Sequence, residues 1–184
     1  ELNPEFVVER YNKHYSTLSS ADFIVEKGLS VLPEYSYINL SGMTFTSSPE
    51  DASNYHSYLE YLTDNNDNTS WEPAGAKELT TYTLTLNLKT TKDLHGLKLV
   101  QTYFDNVNKR SWCPQSVKIY VSTDGVKWDV ATYVEELEIG HSTGEVNIIP
   151  FIEGGVQAQY VKVLVPTPHS ESTYNISLAE IGLY

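Results

Sequence analysis

A strictly alternating segment near the middle of the chain constrains the fold more than any other feature. Positions 82, 84, 86 and 88 are tyrosine or leucine, and positions 81, 83, 85 and 87 are threonine or asparagine. Successive side chains of a β-strand point to opposite faces, so this period of two predicts a strand with one face in a core and the other toward water. Such half-solvated strands are typical of antiparallel sheets.

Four other segments predict strands, at 94–103, 117–121, 161–165 and 177–184. Valine or isoleucine stands at every second position of 117–121 and of 161–165. Short strands at regular spacing, with turn residues between them, predict an antiparallel sandwich or barrel. The 14 tyrosines favour the same class, because tyrosine suits a pleated, half-buried surface.

The first forty residues follow a different pattern. Asn3-Pro4-Glu5 has the residues of a helix start, so a short helix to about Lys13 is predicted. Three short apolar runs, at 23–25, 29–32 and 35–40, predict strands or extended segments.

The length of 184 residues suits one domain of ordinary size plus an extension. We predict a short mixed N-terminal extension over 1–41 and one β domain over 42–184. The extension fits three descriptions: the tail of a preceding module, a linker, or an extra layer on the domain.

Composition excludes several classes of partner. The net charge is -12, from 12 basic and 24 acidic residues. A surface this acidic repels phosphate groups and anionic lipid, so neither nucleic acid nor a membrane surface is expected to bind. No apolar run approaches the roughly 20 residues that span a bilayer, so membrane insertion is not expected. No signal peptide is recognisable, and we expect a chain that starts at Glu1 to be a mature or excised fragment.

Catalytic motifs are absent from the sequence. It contains no Gly-x-Ser-x-Gly, no His-Glu-x-x-His and no phosphate loop. Glycosidases need two opposed carboxylates, whereas the cluster of Glu135, Glu136 and Glu138 is interpreted as a solvated face. The single cysteine, Cys113, excludes an intrachain disulfide and is interpreted as a small hydrophobe. The sequence therefore predicts a protein that is not an enzyme.

Four segments, in order along the chain, carry the motifs of one known family. They are Leu62-Thr63-Asp64-Asn65-Asn66-Asp67-Asn68-Thr69-Ser70-Trp71, residues 82–88 with 94–97, residues 117–128 with Ser122-Thr123-Asp124-Gly125 and Trp128, and residues 160–163 with 177–181. Together they resemble the discoidin family, also called the coagulation factor 5/8 type C domain family. Asp64, Thr69 and Trp71 match the family pattern, whereas Asn65 stands where the family has glycine.

The resemblance implies an all-β fold, an antiparallel β-sandwich of the jelly-roll, galactose-binding-like type. Within it, Asp124-Gly125 is interpreted as a hairpin turn and Trp128 as a core residue. Animal members usually join their ends by a disulfide, which one cysteine cannot form. The chain is therefore more similar to bacterial carbohydrate-binding modules of the family 32 type, which occur on chitobiases and other glycan-processing proteins.

That similarity implies a non-catalytic module that targets an enzyme or surface protein to its polysaccharide or glycoprotein glycan. The expected ligand is a carbohydrate containing galactose or N-acetylhexosamine. The expected location is secreted, periplasmic or on the outer surface of a bacterial cell, as a monomeric module within a larger chain. The alternative is a cell-surface protein-adhesion module of the same fold, which would expose a larger apolar patch.

The loop at 62–69 is rich in oxygen donors, the ligands that calcium prefers. The resemblance implies a structural Ca²⁺ here, held by Asp64, Asn66, Thr69 and Glu180 together with backbone oxygens. Asparagine in place of aspartate at position 66 removes a charge and is expected to lower the affinity. The alternative is an Asx-rich turn held by its own hydrogen bonds.

Three loops are expected to bind the ligand, because loops on a rigid sandwich carry specificity. Sugars stack on aromatic faces and hydrogen-bond to charged or amide groups. Trp112 and Arg110 are the first candidates, since a tryptophan in a polar loop is not expected in a core. The other candidates are Tyr174, His56, His169, Tyr55 and Asn108. The alternative for Trp112 is a plug that closes the end of the barrel.

Overall fold

The structure is a computed structural model that describes residues 24–26, 29–31, 36–49, 58–73, 78–102, 112–137, 146–152, 154–167 and 175–184. The strands are β1 Ile24–Glu26, β2 Leu29–Val31, β3 Thr46–Ser48, β4 Thr81–Leu94, β5 Gly96–Gln101, β6 Val117–Ser122, β7 Asp129–Val134, β8 Val146–Pro150, β9 Val156–Pro166 and β10 Leu178–Leu183. A short 3₁₀ helix, Leu59–Thr63, precedes β4.

Within these residues, the strands form two main antiparallel sheets and a separate β1–β2 pair. The five-stranded sheet has the order β3-β4-β9-β6-β7, and the three-stranded sheet has the order β10-β5-β8. Buried apolar side chains from both sheets make one shared core. The predicted all-β antiparallel sandwich is confirmed.

Strand β4 shows why the alternation was informative. Tyr82, Leu84, Leu86 and Leu88 are buried, while the threonines between them are partly or fully exposed. Trp71 is 0 % exposed, and its ring meets that of Tyr82 edge-on at 5.3 Å between centroids. The apolar face of β4 thus forms one wall of the core.

The predicted strands are present, with boundaries shifted by a few residues. The segment expected at 161–165 is part of the longer β9, and the segment expected at 94–103 is the shorter β5. Sequence reasoning missed β3, β7 and β8, two of which have five residues or fewer. Three residues, as in β3, are too few for an alternation, and neither β7 nor β8 alternates strictly between apolar and polar residues.

The interpretation of Trp128 as a core residue is wrong. This residue follows the β6–β7 turn and is only partly buried. The Lys162 ammonium lies over its ring at 3.7 Å from the centroid. Because Lys162 points outward between the buried Val161 and Val163, Trp128 lies on the outer face of the five-stranded sheet.

The hairpin at Asp124-Gly125 is confirmed. Gly125 has φ of +74°, and β6 pairs with β7 on either side of the turn. Asp124 Oδ1 accepts the N–H groups of Val126 and Lys127 at 2.8 Å each. These bonds to the Lys127 and Val126 amides hold the pKa of Asp124 below its ordinary value.

The last residues of the N-terminal extension contact the sandwich. The Ile38 N–H donates to the Leu183 carbonyl at 2.8 Å, and Leu40 is buried in the core. The helix predicted to Lys13 lies outside the described residues, and the domain division at residue 41 stays a prediction. No helix in the described part of the chain has the length and apolar character needed to cross a membrane.

The strand register defines two ends of the sandwich. At one end, Thr81 of β4 pairs with Pro166 of β9, and Leu178 of β10 pairs with Gln101 of β5. We call this the loop end, because the segments 74–77, 103–111 and 168–174 leave the described strands there. The opposite end carries short connections, including the β6–β7 turn.

Candidate functional site

Three of the segments at the loop end share one polar base. The Thr102 and Ser177 hydroxyl oxygens lie 2.7 Å apart, and the Ser177 N–H donates to the Trp112 carbonyl at 3.0 Å. Cys113 Sγ lies 3.6 Å from the Thr102 carbonyl oxygen. Both ends of segment 103–111 therefore meet the chain that follows segment 168–174.

The chain that precedes segment 74–77 joins the same base. The Ser177 hydroxyl donates to Glu72 Oε1 at 3.2 Å, and the Ser70 hydroxyl donates to the same oxygen at 3.1 Å. Between them, Trp71 and Leu178 exchange backbone hydrogen bonds of 2.8 and 3.1 Å. An isolated backbone bridge between the buried Trp71 and Leu178 thus fixes the position of this part of the polar base.

Trp112 is the one candidate sugar-binding residue that falls among the described residues. It is partly exposed, so it is neither a fully buried plug nor a freely projecting side chain. Its carbonyl accepts the Ser177 N–H, which holds its backbone at the polar base. The remaining candidates lie outside the described residues: Tyr55, His56, Asn108, Arg110, His169 and Tyr174.

Sequence reasoning missed the residues that tie these segments together. Ser177 opens the last family segment, but neither Thr102 nor Glu72 belongs to a motif, and Glu72 and Ser177 are 105 residues apart in the chain. No pattern in the sequence links these three polar residues, so it could not identify them as one group.

The four residues expected to hold calcium are brought together by the structure. The Thr69 hydroxyl lies 2.8 Å from both Asp64 Oδ2 and the Asn66 carbonyl oxygen. Glu180, on β10, accepts the backbone N–H of Asn65 and lies beside the Asp64 carboxyl group. Two carboxyl groups, a hydroxyl and a carbonyl oxygen therefore line one small space.

Asn66 faces this space with its main chain and not with its side chain. Its Oδ1 atom accepts both the backbone and side-chain N–H groups of Asn68 at 3.2 Å. Its own N–H donates to Asp64 Oδ1 at 2.9 Å. The loop thus has the internal hydrogen bonds of an Asx-rich turn, and these same bonds aim the carbonyl of Asn66 toward Thr69.

Asn65 has a left-handed backbone, with φ of +61°. Glycine adopts this conformation freely, and asparagine is among the few other residues that tolerate it. This explains why Asn65 can stand where the family has glycine. The conformation turns the Asn65 N–H toward Glu180.

The electrostatics of this space favour a bound cation. Burial raises the pKa of Glu180 to about 7, the Asn65 N–H opposes the shift, and the neighbouring Asp64 carboxyl group adds to it. Within the described residues, neither Asp64 nor Glu180 forms a salt bridge with a lysine or arginine. Calcium binds such sets of carboxylate, hydroxyl and carbonyl oxygens, so the residues fit this ion.

Comparison with known proteins identifies the family. The family model described as "F5/8 type C domain" matches residues 44–180, which is well over half of the chain. No curated protein sequence matches the chain.

Solved structures share the fold. The Clostridium perfringens module CpGH89CBM32-5, in complex with GalNAc-β-1,3-galactose, has a TM-score of 0.60 at 17 % identity, covering 81 % of this chain and 99 % of that one. A chitosan-binding module of a Paenibacillus sp. IK-5 chitosanase/glucanase has a TM-score of 0.58 at 21 % identity, with coverages of 80 % and 98 %.

The C-terminal domain of a Bacteroides fragilis chitobiase has a TM-score of 0.59 at 13 % identity, with coverages of 81 % and 97 %. At these identities the structures show the fold, while the match over residues 44–180 shows the relationship. The chain belongs to the F5/8 type C domain family.

Proposed function

We propose that the chain is a non-catalytic carbohydrate-binding module whose sugar site lies at the loop end. The observation that carries this proposal is the convergence of the bases of segments 74–77, 103–111 and 168–174 around Ser177. Loops that emerge together from a rigid sandwich can present side chains to one ligand. Trp112, placed at this base and partly exposed, supplies an aromatic face for stacking.

The structures with the same fold support this class of ligand. One holds GalNAc-β-1,3-galactose, and another is a chitosan-binding module. We propose galactose or an N-acetylhexosamine as the recognised unit. The neighbour that is the C-terminal domain of a chitobiase supports the further proposal that the module belongs to a larger, secreted or surface-displayed glycan-processing protein.

A glycan array followed by titration calorimetry tests the sugar site, with Trp112→Ala as the variant. An aromatic stacking contact contributes up to about 1.5 kcal/mol, so its loss is expected to weaken binding about tenfold. Trp128→Ala is the matched control, because Trp128 is also partly exposed but follows the turn at the opposite end. Its affinity is expected to equal that of the parent.

Other outcomes would contradict the proposal. Unchanged affinity in Trp112→Ala, or equal affinities in the two variants, would place the sugar away from the loop end. A parent protein that binds no glycan would overturn carbohydrate binding and leave protein adhesion as the better interpretation.

We also propose that Asp64, the Asn66 carbonyl, Thr69 and Glu180 hold a structural calcium ion. Support comes from the all-oxygen donor set and from the two adjacent carboxyl groups. The ion would supply positive charge between those carboxyl groups. The chain's own residues join the loop to the last strand, through Asn65 to Glu180 and through Trp71 to Leu178.

A further inference from the structure

A groove lies on the outer face of the three-stranded sheet, along β10. Its volume is about 730 Å³, within the range of small-molecule sites, roughly 300–1,000 Å³. Residues 37–44 form one wall, and Glu60, Thr63, Asp64 and Asn65 form the other. Lys98, Glu180 and Gly182 lie between the walls, since Gly182 pairs with Lys98 across the sheet. We call this the β10 groove.

The β10 groove has an exposed aromatic ring that is held in place. Tyr37 is 53 % exposed, yet its ring meets Tyr184 edge-on at 6.0 Å and lies 5.8 Å from the Lys98 ammonium. A Cβ atom placed on Gly182 would be 3.5 Å from Tyr37 Cδ1, so the ring rests against the strand there. Such a ring presents surface for stacking at little further cost in conformational entropy.

Charged groups in the same groove are available to a ligand. Glu60 and Lys98 both line it, and neither forms a salt bridge within the described part of the chain. A carboxylate accepts hydrogen bonds from hydroxyl groups, and an ammonium donates to them. Two further acidic residues, Asp64 and Glu180, line the same space. The groove is net negative without the proposed calcium ion and close to neutral with it, so in neither state does it attract an anionic ligand. The chemistry therefore fits a neutral polyhydroxyl molecule.

The β10 groove is separate from the loop end. The loop end begins where Leu178 pairs with Gln101, whereas the groove contains the far half of β10, where Gly182 pairs with Lys98. Tyr37 reaches this half because the extension runs beside it, with Ile38 hydrogen-bonded to Leu183. No residue of the polar base at Ser177 lines the groove among the residues described.

We propose that the β10 groove is a second carbohydrate-binding site, for a neutral mono- or disaccharide. The proposal rests on the proposed function for its class of ligand but not for its position. A module with two separate sites would bind two sugar units of one glycan, or two glycans, and so gain avidity on a polymer.

Titration of the full chain with galactose, N-acetylgalactosamine and N-acetylglucosamine, followed by calorimetry and two-dimensional NMR, tests this site. The variants are Trp112→Ala for the loop end, Tyr37→Ala for the groove, and the combination of both. Trp112→Ala is expected to weaken the loop-end site about tenfold, so that at low sugar concentration the NMR shifts are confined to the groove, and the combination is expected to weaken both sites about tenfold. Tyr133→Ala is the control, since Tyr133 is an exposed tyrosine on β7 of the other sheet.

A second pair of variants, Glu60→Gln and Lys98→Met, repeats the test with smaller changes, each expected to weaken the groove site about tenfold. The groove proposal is overturned, while the proposed function stands, in either of two cases. In the first, Trp112→Ala abolishes all binding; in the second, the affinity that remains in Trp112→Ala is unchanged by Tyr37→Ala, Glu60→Gln and Lys98→Met. If the parent chain binds none of the three sugars, both are overturned.

Discussion

Removing the calcium ion that we propose between Asp64 and Glu180 is expected to lower the free energy of unfolding by an amount set by mass action. The loop at 62–71 and strand β10 are joined through Asn65 and Trp71, so an ion there binds the folded chain and not the unfolded one. Calcium at a hundred times its Kd then adds about 2.7 kcal/mol to the free energy of unfolding. For a chain of this length, that corresponds to about 5–10 °C in Tm.

The variant Glu180→Gln gives a more specific test, because its effect on Tm is expected to differ in sign with and without calcium. The amide oxygen of glutamine can still accept the Asn65 N–H, but it carries no charge to repel Asp64. In chelator at a pH above 7, we expect the variant to melt at or above the Tm of the parent. In calcium, we expect the parent to melt higher and the variant to show no shift.

Differential scanning calorimetry in calcium, magnesium and chelator measures the Tm of the parent and of Glu180→Gln. Magnesium is the control ion, since it demands near-octahedral geometry and gives up its water reluctantly; its shift is expected to be small. If neither chelator nor calcium changes the Tm of the parent protein, the calcium site is refuted and the loop is an Asx-rich turn.

The raised pKa of Glu180 defines how the free energy of unfolding should change with pH. In the calcium-free protein the pKa of Glu180 is raised from 4.5 to about 7, so the folded state binds the proton more tightly than the unfolded state. Stability without calcium is therefore expected to fall as pH rises between those two values. Calcium must displace this proton, so its apparent affinity is expected to be about tenfold weaker one pH unit below the pKa of Glu180.

Three further predictions concern the fold, each measured by urea unfolding. Asn65→Ala is expected to lower the free energy of unfolding by about 1 kcal/mol, because alanine resists the left-handed backbone, whereas Asn65→Gly is expected to stay within about 0.5 kcal/mol of the parent. Leu86→Ala, at a fully buried position of β4, is expected to cost about 2–5 kcal/mol; a smaller loss would mean that the core collapses around the site. Asp124→Ala is expected to destabilise at neutral pH. Because the pKa of Asp124 is depressed, that loss should disappear as pH falls through its folded value, and a constant difference would contradict the hydrogen-bond explanation.

Local pattern accounts for what could be predicted of the fold. The alternation at 81–88 identified both the strand and its buried face, because the period of two is a property of the extended backbone itself. The Asp124-Gly125 turn was predictable for the same reason, since it depends on neighbouring residues only. Trp128 was misassigned because its residue type favours burial, while its actual surroundings include Lys162 from another strand.

The sequence by itself determined the β class, the main strands, the family motifs and the oxygen-rich loop at 62–69, since each is written in residues close together in the chain. The grouping of Glu180 with a loop 115 residues away came from the family resemblance and from no local pattern, and the structure shows the contact through the Asn65 N–H. Only the tertiary structure decided that three segments share a base at Ser177 and that Tyr37 lines a groove on β10. The physical reason is that strand pairing and sheet packing join distant residues, and a local period specifies which face of a strand is buried but not which strand lies beside it.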